Sequence, residues 1–126
     1  MNAVTNENTN LFIRINMKCY RIHIPKMTLK AIGNPKYIQW GYEPKAKKLM
    51  LTSVWHNEKN AVHLHLTKQG VCYVYSKAML EGIRCVGGVL TADGSYLLKG
   101  EKIKQMPAIY FMLEKAIFMD EDDVSL

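Results

Sequence analysis

A chain of 126 residues with 48% hydrophobic and 22% charged content suits one globular domain with a modest core. It holds no run of about 18 consecutive apolar residues, which excludes a membrane-spanning helix, and its polar start MNAVTNENTN lacks the basic-then-apolar order of a secretory signal. Seventeen basic residues stand against eleven acidic ones, and four of those acids are gathered at Asp120, Glu121, Asp122 and Asp123, so the remainder is strongly basic and suited to nucleic acid, an anionic surface or an acidic partner.

Taken in chain order, residues 1–10 hold four asparagines and almost nothing apolar, and are expected to form a disordered lead-in. A single domain is expected over 11–119, followed by an acidic tail at 120–126. Leu11–Asn16 and Tyr20–Ile24 alternate apolar and polar residues, as strands do. Lys26–Ile32 breaks that alternation with about two turns of helical pattern, closed by Gly33-Asn34-Pro35. Tyr37–Tyr42 is aromatic and β-branched, and Leu49–Val54 returns from the turn-rich Glu43-Pro44-Lys45-Ala46. Strands are expected again at Ala61–Leu66 and Val71–Tyr75, and Ser76 is a suitable N-cap for a second helix over Lys77–Arg84. Val86–Thr91, Ser95–Lys99, Ala108–Leu113 and Ala116–Met119 complete the set, with Asp93-Gly94 offering the positive-φ chemistry of a tight hairpin. The predicted class is mostly β, of the α+β kind.

The order of elements repeats. Placing Tyr20 over Val71 aligns the two helices without a gap, so that Lys26 meets Lys77, Leu29 meets Leu80 and Ile32 meets Ile83. The expectation is a small barrel shared by two β-α-β-β-β units, unit one over 20–66 and unit two over 71–113, each with one short helix.

Within unit one, Arg21-Ile22-His23-Ile24-Pro25-Lys26-Met27-Thr28-Leu29-Lys30-Ala31-Ile32-Gly33 has a physical reason at each turn. The strand ends at Ile24, Pro25 fixes φ for the start of the helix, Leu29 and Ile32 pack inward, and Gly33 permits a left-handed exit. This stretch resembles the R-x-x-I-P-K-x-x-x-x-x-L-G signature of the AbrB/MazE/MraZ swapped-hairpin barrels. In that family two such units interlace, and basic residues near the strand start and on the short helix face DNA. Arg21 matches the family arginine and Lys30 the second of two basic helix positions, while Leu29 departs at the first. Unit two departs further: Cys72 stands where Arg21 would be, Ser76 replaces the proline, Glu81 replaces Lys30, and only Lys77 keeps its charge. The resemblance covers unit one well, unit two loosely, and nothing before Cys19 or after Leu113.

The resemblance implies a DNA-binding regulator of transcription or of a mobile element, without enzymatic activity. Duplex DNA would be contacted by Arg21, Lys26 and Lys30, joined by Lys36, Lys45, Lys47 and Lys48 from the hairpin that follows. Arg21 is expected to read a base edge and the lysines to hold phosphates. Loss of charge in unit two implies a homodimer formed through that unit, or a barrel that has given up DNA for a role as an antitoxin-like or inhibitory protein-interaction module. For the lysines of the turn, a solvated loop that resists edge aggregation is the plainer alternative.

Other groups carry less. Tyr37 and Trp40 fall on opposite strand faces, and they, Tyr42 and Trp55 serve either base stacking or core or dimer contacts. His63 and His65 share one face but have no third ligand at metal spacing, so neither metal nor cofactor is expected. Cys19, Cys72 and Cys85 are odd in number and lack C-x-x-C spacing, which fits a reducing cytoplasm rather than a disulfide framework. None of them, nor Ser76, sits in a recognisable catalytic motif, and no phosphate-cradling glycine loop occurs. The acidic tail would solubilise the chain, dock on a basic partner, or fold back over the basic face.

Overall fold

Alternating burial along the strands organises the molecule, whose computed structural model describes residues 11–119. In β1 (Phe12–Asn16) and β2 (Arg21–Ile24), Ile13, Ile15, Ile22 and Ile24 point inward and are essentially inaccessible, which turns the polar residues between them outward. Helix α1 (Lys26–Ala31) follows directly, opened by Pro25 at φ −65° and left through Gly33 at φ 91°. The hairpin of β3 (Tyr37–Glu43) and β4 (Lys48–Val54) comes next, then the short β5 (Val62–His63). The second half runs through β6 (Cys72–Tyr75), α2 (Lys77–Gly87), β7 (Ser95–Lys102) and β8 (Ala108–Met112). A 3-10 turn over Leu113–Lys115 and the edge strand β9 (Ile117–Met119) complete it.

The strands form one curled half-barrel in the order β5-β3-β4-β8-β7-β1-β2-β6, with β9 alongside β7, and every pairing is antiparallel. An isolated bridge between Leu66 and Cys72 ties the segment after β5 to β6. Strand β7 serves three partners: Ser95–Lys99 lies beside β1, Ser95–Leu97 also beside β9, and from Gly100 onward it lies beside β8. Gly100 sits at that change because a Cβ there would come within 2.6 Å of both Ile109 and Phe111.

Both helices plug the curl. Leu29 and Ile32 of the first helical segment and Leu80 and Ile83 of α2 are buried in the same cluster as Ile13, Leu51, Leu98 and Phe111, so both aligned helix pairs face inward as expected. Thr28 fixes α1 to β1 by donating from Oγ1 to the Phe12 carbonyl at 2.7 Å and accepting from the Phe12 N–H at 3.1 Å. The Ser53 hydroxyl of β4 donates to the Ile32 carbonyl at the helix end.

Three expectations are corrected. Val86–Thr91 is not a strand: α2 continues to Gly87 and stops at Gly88, which takes φ 68° and donates its N–H to the Arg84 carbonyl at 3.1 Å. The segment beyond is held by burial of Leu90 rather than by a ladder. With that strand gone, Asp93-Gly94 forms no two-residue hairpin; Gly94 instead lies under Tyr96, whose ring leaves no room for a Cβ. The strand expected over Ala61–Leu66 shrinks to Val62–His63.

Candidate nucleic-acid interface

The outward residues of four neighbouring strands form two rows. Register places Ser95, Asn16, Arg21 and Tyr75 in one row across β7, β1, β2 and β6, and Leu97, Arg14, His23 and Tyr73 in the next. Phe12 and Lys99 begin a third. None of these positions is acidic, and neither Arg14 nor Arg21 forms an ion pair among the described residues.

Aromatic rings order the cations. The Arg21 guanidinium lies over the Tyr73 ring at 4.6 Å from its centroid, and that of Arg14 over Phe12 at 5.4 Å. The His23 ring meets Tyr73 at a centroid distance of 5.3 Å. Burial, followed by the nearby charges of Arg14 and then Arg21, holds the His23 pKa below its ordinary 6.5, so the imidazole is neutral at physiological pH and offers one donor and one acceptor. Together with Asn16 and Ser95 these groups line a depression of about 240 Å³.

The seven basic residues expected at the interface divide among separate places. Arg21 belongs to the depression just described. Lys26 and Lys30, exposed one turn apart on α1, flank a different groove of about 310 Å³ lined also by Leu29, Asn34, Leu66 and Gly70. Lys26 lies along the bare Cα of Gly70, where a Cβ would come within 2.6 Å of its Cε. Lys36 is exposed just before β3, while Lys45, Lys47 and Lys48 sit at the opposite end of the hairpin, some six strand steps or about 20 Å away, so the expected patch joining them does not form. Lys47 pairs with Glu114 at 3.6 Å, and Lys48 rests over the Tyr110 ring at 4.6 Å.

The remaining candidates resolve into structural contacts. Trp40 and Tyr42 pack against the core, Tyr37 stacks on His63 at 4.8 Å, and Trp55 is exposed beside Gly33. The His63 and His65 rings lie 4.5 Å apart, and no group of three metal-binding side chains occurs among the described residues. Glu81, which stands where unit one has Lys30, accepts from Arg84 at 2.7 Å and from the Tyr20 hydroxyl at 3.0 Å. The Arg84 hydrogen bond is the main reason its carboxyl titrates below the usual range.

Arg14, His23, Tyr73 and Ser95 were not singled out by the motif. Arg14 was accessible to period-two reasoning, because it lies between the inward Ile13 and Ile15. Comparison of the chain with protein families, curated proteins and solved structures finds no match to any of them.

Proposed function

We propose that the chain is a DNA-binding regulator whose contact surface is the outward face of β1, β2, β6 and the first half of β7. The observation that carries this reading is the pair of guanidiniums on Arg14 and Arg21, held over aromatic rings on two adjacent surface rows without carboxylates. Arginine held in this way keeps its N–H edges available for phosphate and base oxygens. Lys99 on the same face and the exposed Lys26 and Lys30 add long-range attraction.

The resemblance to swapped-hairpin barrels rests on the motif from Arg21 to Gly33 and on the two helices, whose aligned residues Leu29 and Leu80, Ile32 and Ile83 are all buried. The aligned strands β2 and β6 pair antiparallel but are out of phase with the alignment, which sets the outward Arg21 and His23 over the inward Cys72 and Val74.

The test is binding of labelled DNA by the wild type and by the double substitution Arg14→Ala, Arg21→Ala. Affinity should fall steeply with salt, and the double variant should lose at least about tenfold in affinity and about two units of salt slope while Lys47→Ala changes neither. Absence of binding at low salt would overturn the proposal.

A protein-interaction role is favoured by one feature, the edge strand β9, where Ile117 and Phe118 are 47% and 61% exposed and, among the described residues, only one side is paired. That reading expects a concentration-dependent homodimer in sedimentation, abolished by Phe118→Lys.

A further inference from the structure

We infer that the face built from Arg14, Arg21, Tyr73 and Tyr75 takes single-stranded rather than duplex DNA. The inference rests on the DNA-binding reading above and narrows it to a strand state.

Phosphates alone would be served by cations on flexible stems. Here the cations come with aromatic surface that the core does not use: Tyr75 is 65% exposed at the end of one row, and Tyr73 lies in the neighbouring row under Arg21. A duplex keeps the flat faces of its bases stacked inside and presents nothing for a ring to cover, whereas a single strand can splay its bases onto such rings. Spacing points the same way. Tyr73 and Tyr75 are alternate residues of one strand, so their anchor points lie about 7 Å apart, roughly twice the 3.4 Å rise between stacked bases. Neighbouring bases could meet Tyr75 and the guanidinium plane of Arg21 stacked on Tyr73 only when unstacked from each other.

The polar groups suit a base beside a backbone. Arg14 and Arg21 are diagonal neighbours across β1 and β2, separated by about 7–8 Å, which allows each to hold its own phosphate. Between and beside them lie the neutral imidazole of His23, the NH2 of the Asn16 amide, whose oxygen accepts from the Lys18 N–H at 2.9 Å, and the Ser95 hydroxyl, which can meet the exposed edge of a base with donors and acceptors rather than charge. The depression they line, about 240 Å³, is smaller than a cleft that encloses a drug-sized ligand and is in scale with one base.

The experiment is fluorescence anisotropy with a labelled single strand of about 12 nucleotides and the duplex of the same sequence, at about 50 and about 200 mM salt. The single strand should bind at least about tenfold more tightly. Tyr75→Ala, at a site exposed enough to leave folding intact by thermal melt, should weaken single-strand binding by about tenfold and duplex binding little. Arg21→Lys, which keeps charge but loses the planar stack, should erode the preference. Equal or tighter duplex binding, or an equal effect of Tyr75→Ala on both probes, would overturn the single-strand inference and leave the DNA-binding proposal standing. Failure of both probes to bind at the lower salt would remove the two together.

Discussion

Replacing Thr28 with valine should be among the most damaging single changes outside the apolar core. Continuing the β1 and β2 register beyond Arg14 and His23 would set Phe12 against Pro25, which has no N–H to donate. Thr28, fully buried one turn into α1, supplies both the donor and the acceptor that the ladder lacks at that point. Valine preserves shape and volume, so no cavity forms, but two hydrogen bonds worth about 1 kcal/mol each disappear. The Phe12 N–H and carbonyl are also left unpaired in a half-buried position, which adds about 1–2 kcal/mol after partial rescue by water. The expected loss is about 3 kcal/mol. Thr28→Ser keeps both bonds and removes one buried methyl, for about 1 kcal/mol. At about 4 °C per kcal/mol for a domain of this size, the melting temperature should drop by about 12 °C for valine and about 4 °C for serine. Urea unfolding followed by circular dichroism separates the two. A valine variant as stable as the serine variant would refute the assignment of a structural role to the hydroxyl.

His23 gives a pH dependence of definite sign. Its folded pKa lies below 6.5, so the unfolded chain takes up the proton more readily, and the stability it contributes is complete above about pH 6.5 and declines as pH falls toward the folded value. Urea midpoints between about pH 5 and 8 should show this slope in the wild type and less of it in His23→Gln; an unchanged slope would assign it elsewhere. Among the thiols, burial raises the Cys72 pKa while Cys19 and Cys85 are exposed, so alkylation of the native protein should label Cys19 and Cys85 and reach Cys72 only after denaturation. Gly100→Ala should cost about 1–3 kcal/mol through overpacking against Ile109 and Phe111, whereas Gly82→Ala on α2, with nothing within 4 Å of the new methyl, should add about 0.5–1 kcal/mol. Equal melting temperatures for the two alanine variants would contradict that contrast.

Elements defined by local chemistry were legible in the sequence, and those defined by neighbours were not. Ile13, Ile15, Ile22 and Ile24 announce β1 and β2 by period alone, and Pro25 and Gly33 bracket α1 because each satisfies a backbone constraint. Val86 and Val89 suggest a strand by propensity, yet α2 runs on until Gly88 can adopt a left-handed conformation. The interface shows the same divide. Arg21 is marked by its motif, but Arg14 reaches it through the β1–β2 register and Tyr73 through β6, a strand some fifty residues distant along the chain. Sequence proximity likewise grouped Lys36 with Lys45, Lys47 and Lys48, although a hairpin strand places its two ends far apart.

The difference between the two halves bears on what kind of DNA the chain would accept. In α1 the position of Lys30 is exposed and positive, whereas in α2 the corresponding Glu81 is held by Arg84 and Tyr20, and Lys77 lies 5.7 Å from the Tyr20 ring centroid. That cluster attaches α2 to the turn after β1, so its charges are engaged in holding the half-barrel together. A two-fold regulator of duplex DNA gains from two equivalent basic faces spaced to match a palindrome. Single-strand recognition has no such requirement, since the strand itself lacks two-fold symmetry, and one face suffices. With Cys72 turned inward where unit one projects Arg21, the second half adds Tyr73 and Tyr75 to the arginine face of the first. Under the single-strand reading the halves are complementary, one supplying cations and the other rings. Moving an arginine onto unit two should then strengthen binding without creating a second site, and a stoichiometry of one strand per chain would persist.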